Sequence, residues 1–244
     1  MHWTGPPTTE EGVTERPFQL LRDEHVVPGV MWSPERVNGL PPLVLLGHGG
    51  SGHKRGKRQL DLARWFATEA GAAAVAIDGP YHGDRALAPG ADYQRRMADT
   101  GIAKVTDGMV ADWLATLNAV TALDDVDGDR VAYLGLSMGT RFGLPFVAAA
   151  GSRLRCAVLG KYGMQQPAGM PAEIDMGPRL AEDAPGITVP VLYHVQWDDE
   201  LFPRAGQLAL FELLGSPGKQ LIGFPGKHAE TSAVSIDAWR EFVR

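Results

Sequence analysis

Residues 131–143 read VAYLGLSMGTRFG, and their order of apolar, small and polar side chains decides the fold class. The apolar run 131–134 predicts a buried strand, and a helix is expected to begin soon after it. The Gly-x-Ser-x-Gly pentapeptide between them covers residues 135–139. A sharp strand-to-helix turn in this context exposes the serine hydroxyl, so Ser137 is a candidate nucleophile. The alternative is that Ser137 caps the following helix.

Apolar runs and amphipathic segments alternate on both sides of this stretch. Runs that fit strands occur at residues 43–46, 73–77, 156–159, 189–193 and 219–224. Helical spacing of apolar residues occurs at 59–70, 109–117, 205–214 and 236–243. Because parallel strands need crossover connections, the alternation predicts an α/β fold with a mostly parallel central sheet of about eight strands and helices on both faces.

The chain length suits a single α/β domain, since 244 residues can bury a core without disulfides or metals. Residues 1–17 are polar and are expected to form an N-terminal leader to a domain covering 18–244. Within that domain, residues 18–32 read as an antiparallel hairpin. The stretches 85–104 and 160–186 resist assignment and are expected to form a small lid or substrate-facing insertions.

Composition and charge exclude several classes of function. The chain has 23 Lys and Arg against 29 Asp and Glu, which leaves no overall basic field to attract nucleic acid or a membrane. Cys156 is the sole cysteine, so an internal disulfide and a Cys-rich zinc site are excluded. Neither a secretory signal pattern nor a membrane-length apolar run occurs, so a cytoplasmic location is expected. The sequence leaves open whether the chain forms a homodimer.

A serine nucleophile requires a base and an acid at the same edge of the sheet. His228 comes directly after the last predicted strand, and a surface histidine is the alternative interpretation. Asp198, Asp199 and Glu200 come directly after the preceding predicted strand. Because the carboxyl ends of parallel strands collect functional loops, these side chains are expected to lie near Ser137.

Hydrolysis of an ester also requires backbone N–H donors for the negative charge that develops on the carbonyl oxygen. Residues 47–50 read GHGG and end an early predicted strand, where they can supply one donor. The amide of Met138 would supply the other. A plain glycine-rich turn is the alternative for the loop.

From about residue 42 to the C-terminus, the sequence resembles the α/β-hydrolase superfamily, especially its small dienelactone-hydrolase-like and prolyl-oligopeptidase-like serine esterases. LLGHGG at 45–50 resembles the His-Gly oxyanion loop of the family, and DGPYHGD at 78–84 resembles its Asp-x-Pro-x-His-Gly turn. VQWDDELFP at 195–203 resembles its acid loop, with Gln196 where glycine is usual. The chain order serine, acid, histidine is also that of the family.

The resemblance implies roles for individual residues. Gly50 and Met138 are the implied oxyanion donors, and alignment on Pro203 selects Asp199 as the acid. Because Gln196 replaces the usual glycine, the backbone of the acid loop is not fixed by the resemblance, and Asp198 remains the alternative acid.

The predicted function is hydrolysis of a carboxylic ester of a small or medium substrate. Ser137 would form an acyl-enzyme, with His228 as general base and Asp199 as the acid that orients it. Dienelactone hydrolases proper carry a cysteine nucleophile, so that name does not identify the substrate. The same triad supports amidases, thioesterases and C–C bond hydrolases, and a non-catalytic hydrolase-like binding protein is the alternative outside enzymes.

Four residues are candidates for contact with the small-molecule ester or related acyl substrate: His48, Tyr162, Met164 and Trp197. Tyr162 and Met164 lie between the nucleophile and acid segments, where adaptable or aromatic side chains suit an apolar group. Core packing explains these two residues equally well. Trp197 adjoins the predicted acid and would form a wall of the pocket.

Two further clusters allow a functional or a structural interpretation. A zinc or iron site would use His48, His53, His82 and Asp84, but these residues lack helical His-x-x-x-His spacing. No metal and no other cofactor are expected. A carboxylate or phosphate on the substrate would suit the basic run Lys54, Arg55, Lys57 and Arg58, for which a solvated loop is the alternative.

Overall fold

The computed structural model describes residues 1–89 and 91–244, and it has a mixed α/β fold. The strands are His2–Trp3 (β1), Thr8–Glu10 (β2), Val13–Arg22 (β3), His25–Pro34 (β4), Pro42–Gly47 (β5), Ala73–Ile77 (β6), Asp127–Gly135 (β7), Cys156–Gly160 (β8), Val191–Gln196 (β9) and Gln220–Phe224 (β10). The helices are Lys57–Glu69 (α1), Tyr93–Thr100 (α2), Ile102–Thr121 (α3), Met138–Ala150 (α4), Gly177–Asp183 (α5), Arg204–Leu213 (α6) and Ala233–Val243 (α7).

The strands form one sheet in the order β1-β3-β4-β6-β5-β7-β8-β9-β10, with β2 also paired to β3. Neighbours from β6 to β10 are parallel, and those from β1 to β6 on the other side are antiparallel. The parallel strands β5, β6, β8 and β9 are buried along almost their whole length, which explains their continuous apolar sequences. The predicted α/β architecture is confirmed, with ten strands in the described residues where about eight were expected.

Residues 1–17, expected as a leader outside the domain, extend the sheet instead. β1, β2 and the first half of β3 all form backbone pairs. The ring of Trp3 packs edge-on against Phe18 at a centroid distance of 6.2 Å, and the Arg16 guanidinium lies 4.1 Å from the Trp3 ring. The segment reads as polar because antiparallel strands near a sheet edge are half solvated.

The hairpin expected over residues 18–32 is present and longer than expected. It pairs β3 with β4 throughout, and its turn lies at Asp23, which has a φ of 53°. Gly29 lies inside β4 because a Cβ there would come within 2.1 Å of the Phe18 ring. The Pro28-Gly29 pair therefore indicates close packing inside a strand, and not a turn.

Helices cover both faces of the sheet. α1 and α7 pack on one face, where Leu62, Phe66 and Trp239 are buried. α3 and α4 pack on the other, where the rings of Trp113 and Phe146 lie 5.8 Å apart. Each fully buried large apolar side chain contributes about 2 kcal/mol to this arrangement. Among the described helices, none has the length and apolar character needed to cross a membrane.

The two stretches that resisted assignment are partly helical. Residues 85–104 contain α2, although Gly90 of this stretch lies outside the described residues. Residues 160–186 contain α5 and short 3₁₀ turns. Tyr93 of the first stretch and Tyr162 of the second line the cavity described below. Movement of either stretch as a lid stays a prediction.

Candidate active site

Ser137 occupies a sharp turn between β7 and α4, with a φ of 59° and a ψ of −120°. A residue with a side chain is strained in this conformation, so the surrounding structure must hold it there. Gly139 permits the turn because a Cβ at that position would lie 2.7 Å from the Gly47 carbonyl oxygen. The Ser137 side chain makes no hydrogen bond to the start of α4, so the capping interpretation has no support.

The hydroxyl of Ser137 faces an imidazole that is itself held by a carboxylate. Ser137 Oγ lies 2.9 Å from His228 Nε2, and His228 Nδ1 lies 2.8 Å from Asp199 Oδ2. The other carboxylate oxygen of Asp199 accepts hydrogen bonds from the N–H groups of Leu201 and Phe202. Because a carboxylate only accepts, His228 donates from Nδ1, which leaves Nε2 free to accept the serine proton.

The neighbours of Asp199 contact the backbone of the histidine loop. Asp198 accepts a hydrogen bond from the N–H of Gly226 at 3.1 Å. Glu200 accepts one from the N–H of His228 at 2.9 Å, which lowers the pKa of the Glu200 carboxyl. The structure therefore places Asp199, and not Asp198, against the imidazole.

Gln196, which stands where glycine is usual, links the acid strand to the histidine loop. Its side-chain N–H donates to the Pro225 carbonyl at 2.9 Å, and its side-chain oxygen accepts from His194 Nε2 at 2.9 Å. The other nitrogen of His194 accepts from the indole N–H of Trp239 at 3.1 Å. Burial lowers the pKa of His194 to about 4, so its ring is neutral in this chain of hydrogen bonds. Sequence reasoning noticed Gln196 only as a departure from a pattern.

Lys161 is a second support of the histidine loop that sequence reasoning missed. It follows β8 directly, is almost fully buried and donates to the Glu230 carbonyl at 2.6 Å. Burial lowers the pKa of Lys161 to about 8, and the nearby charge of Arg58 acts in the same direction. A lysine directly after a buried strand was the available signal.

The expected oxyanion donors lie beside the nucleophile. Gly50 and Met138 line the same cavity as Ser137. Met138 is the first residue of α4, so its N–H has no carbonyl partner in a preceding helical turn. His82 Nε2 lies 2.8 Å from the Gly50 carbonyl oxygen and steadies the loop.

His48 lies behind the oxyanion loop. It is buried, with Nδ1 donating to the Gly49 carbonyl and Nε2 accepting from the Gly79 N–H, both at 2.8 Å. Burial lowers the pKa of His48 to about 4. Its contacts tie together the loops after β5 and β6, and they do not support the expected contact with substrate.

Of the other three expected substrate contacts, Tyr162 alone lines the cavity. Its ring lies 4.3 Å from that of Phe202. Met164 packs against the core instead. Trp197 is 44% exposed and stacks with Arg204 at 4.5 Å, because Gly223 on β10 leaves room for its ring.

The cavity at this site is large enough to hold a small molecule. The cavity has a volume of about 650 Å³ and is lined by Ser137 and His228. This volume lies within the range of roughly 300–1,000 Å³ that small-molecule sites occupy. Within residues 1–89 and 91–244, no three His, Cys, Asp or Glu side chains are placed to hold a metal ion. Of the residues considered for metal, Asp84 pairs with Lys54 at 2.8 Å.

Comparison with known proteins adds to this geometry. No family model and no curated protein sequence matches the chain. Among solved structures, a cold-adapted esterase from an Arctic intertidal metagenomic library is 37% identical, with a TM-score of 0.83 and coverage of 99% of both chains. An acetyl xylan esterase from Paenibacillus sp. R4 is 18% identical, with a TM-score of 0.76 and coverage of 99% of this chain and 88% of that one.

A third similar structure is a putative dienelactone hydrolase from Klebsiella pneumoniae subsp. pneumoniae MGH 78578. It is 16% identical, with a TM-score of 0.73 and coverage of 95% of this chain and 97% of that one. At such low identities the last two similarities show the fold alone, whereas the first covers 99% of this chain at 37% identity. The chain therefore belongs to the esterase family of the first structure, and its fold is that of the α/β hydrolases.

Proposed function

We propose that Ser137, His228 and Asp199 form a catalytic triad that hydrolyses a carboxylic ester of a small or medium substrate. The observation that carries this proposal is the continuous line of hydrogen bonds from Ser137 Oγ through His228 to Asp199, with distances of 2.9 and 2.8 Å. It ends at a cavity large enough for a small molecule. Membership of an esterase family supports the same reaction.

In the first step, Ser137 Oγ attacks the ester carbonyl carbon while His228 Nε2 accepts the hydroxyl proton. The carbonyl π electrons move to the oxygen, where the N–H groups of Gly50 and Met138 stabilise the negative charge. His228 then gives its proton to the departing alcohol oxygen as the C–O bond breaks. Water repeats the sequence on the acyl-enzyme and releases the carboxylic acid.

The expected roles of the remaining residues follow from their contacts. Asp199 orients the imidazole and stabilises its protonated form, since its carboxylate is buried and fixed by two backbone N–H groups. Gln196 and Lys161 act as positioning residues, because they hold carbonyl groups on either side of His228.

The deciding experiment is intact-mass labelling with a fluorophosphonate probe, followed by peptide mapping, on the wild type and on Ser137→Ala. Hydrolysis of short and long 4-nitrophenyl esters is measured in parallel. We expect labelling confined to Ser137, turnover by the wild type, and neither in the variant. Full activity of folded Ser137→Ala would exclude the proposed nucleophile.

The same experiment separates the alternatives. Turnover of amide, thioester or C–C substrates in preference to esters would assign a different leaving group to the same triad. Stoichiometric labelling without turnover of any substrate would favour a binding protein. A cytoplasmic location and a homodimer stay predictions from the sequence.

A further inference from the structure

The charged side chains that line the active-site cavity are all basic. Lys57, Arg58, Arg141 and Lys161 line it, and within residues 1–89 and 91–244 no aspartate or glutamate does. The chain as a whole carries a formal charge of −6, so this cavity differs in sign from the rest of the molecule. A local excess of positive charge in a concave site attracts anions.

Arg58 is the basic residue of its segment that lacks a carboxylate partner. Lys54 pairs with Asp78, Arg55 with Glu15 and Lys57 with Asp61. Across the described residues, no carboxylate lies within 4.0 Å of the Arg58 guanidinium, and burial lowers its pKa. Placing a guanidinium in a half-buried position without a counter-charge is unfavourable, so a ligand carboxylate would be bound strongly there.

Arg141 and Lys161 add unmatched positive charge at the same cavity. Arg141 is 3% exposed, donates one hydrogen bond to the Ile174 carbonyl at 2.7 Å, and has a buried Nε without a partner. Lys161 donates to the Glu230 carbonyl, which carries no formal charge. Asp199, Glu200 and Glu230 act on Lys161 only from longer range, and each already accepts hydrogen bonds from the histidine loop or its supports.

The N-terminus of α1 also opens onto the cavity. Gly56, Lys57, Arg58 and Gln59 all line it. The helix has 13 residues, its N-cap Gly56 supplies no side-chain hydrogen bond, and its first turn has no acidic residue. The free N–H groups and the positive end of the helix dipole therefore add to the charge of Arg58.

We propose that the physiological substrate is an ester that carries a second, anionic oxyacid group, a carboxylate or a phosphate, which Arg58 and the start of α1 bind while Ser137 attacks the ester. This inference rests on the proposed function and narrows its substrate class. The guanidinium forms two parallel hydrogen bonds with an oxyacid group, and the charges of Arg141 and Lys161 strengthen the binding. The anionic group thereby orients the scissile carbonyl towards the nucleophile.

The test compares matched esters that differ in one charged group. Mono-4-nitrophenyl glutarate and 4-nitrophenyl pentanoate share chain length and leaving group, and differ in a terminal carboxylate. We expect the wild type to favour the glutarate ester by about tenfold or more in kcat/KM. The preference is taken as the ratio of kcat/KM for the two esters within each variant. Arg58→Gln should remove this preference, and Arg58→Lys should keep part of it.

Arg64→Gln is the matched control. Arg64 lies on the same helix, is exposed and pairs with Glu10, so its loss removes the same charge away from the cavity. A second set of esters, phenyl acetate, 4-acetoxybenzoate and 4-acetoxyphenyl phosphate, places the anion on the alcohol side and distinguishes carboxylate from phosphate. Equal rates within every set, or a preference that survives Arg58→Gln, would overturn the inference.

A binding measurement separates failure of the inference from failure of the proposed mechanism. Calorimetric titration of Ser137→Ala with glutarate monomethyl ester needs no turnover. Binding that is lost in Ser137→Ala/Arg58→Gln supports the anion site even if ester hydrolysis fails. Absence of binding to Ser137→Ala at millimolar ester, together with normal hydrolysis of neutral esters by the wild type, overturns the anion site and leaves the triad intact.

Discussion

The Glu200 carboxylate accepts a hydrogen bond from the backbone N–H of His228 at 2.9 Å, while Asp199 holds the imidazole of the same residue at 2.8 Å. Asp198 holds Gly226, two residues earlier in the loop. Three consecutive carboxylates thus contact one loop, Asp199 through the imidazole ring and the other two through backbone N–H groups. Because imidazole orientation decides proton transfer, loss of the Asp199 contact should reduce the rate most.

Substitution of each of the three carboxylates should show how much each contributes to kcat. Asp199→Asn leaves the size unchanged but favours the wrong imidazole tautomer, so we expect kcat to fall by roughly four orders of magnitude. Asp198→Asn and Glu200→Gln keep an oxygen acceptor for the loop and should lower kcat by about tenfold at most. Steady-state ester hydrolysis measures all three, and an Asp198→Asn effect equal to that of Asp199→Asn would contradict this assignment.

Lys161 should affect catalysis through the loop and not through the reacting atoms. Lys161→Met keeps the length of the side chain but removes the hydrogen bond to the Glu230 carbonyl. We expect kcat to fall about tenfold, with KM for a neutral ester little changed, because loosening of His228 acts on the chemical step. The kcat for a neutral ester and the rate of fluorophosphonate labelling should fall together. A change in KM alone would contradict a positioning role.

The strained backbone of Ser137 predicts a gain in stability at the expense of activity. Its φ of 59° favours glycine over any residue with a Cβ. The free energy of unfolding of Ser137→Gly should therefore be about 1 kcal/mol higher than that of Ser137→Ala. Both variants should be inactive. Urea unfolding of the two variants measures the difference. Equal stabilities would show that the turn at Ser137 carries no such strain.

Parts of this site could be predicted from sequence because their signals are local. The turn at Ser137 is encoded by a buried strand, two glycines and a helix within about a dozen residues. The choice between Asp198 and Asp199 could not be made locally, since adjacent residues on a turn point in different directions. That choice depends on the N–H groups of Leu201 and Phe202, which fix the Asp199 carboxylate.

Other features of the protein could not be predicted from the sequence because only the tertiary structure determines them. Trp197 adjoins the acid in sequence, but its ring packs over Gly223 on a neighbouring strand and does not line the cavity. Residues 1–17 lack a continuous apolar run because the antiparallel edge of the sheet is half solvated. The sequence does not show that Arg58 is the unpaired member of its basic run, because Lys54 and Arg55 pair with carboxylates that are distant in sequence, and Lys57 pairs within its own helix.

Two buried histidines, His48 and His194, predict loss of stability in mild acid. Burial lowers the pKa of each to about 4, whereas an unfolded histidine has a pKa of 6.5. Between these values the unfolded chain binds more protons than the folded one, so the stability present above pH 6.5 falls as the pH decreases towards 4. The full effect approaches about 3 kcal/mol for each ring. Urea unfolding at about pH 7.5 and pH 5 measures most of the change while the pH stays above the pKa of ordinary carboxyl groups.

Single substitutions should separate the two contributions. His194→Gln removes one titrating ring and should reduce the loss of stability between the two pH values by about half. His25→Gln removes an exposed histidine outside the core and serves as the control, with the wild-type pH dependence. Because the folded His194 ring stays neutral until the pH approaches 4, its contact with Gln196, and through Gln196 with the loop of His228, should persist in the folded protein over this range. An unchanged pH dependence in His194→Gln would show that folding does not lower the pKa of this ring.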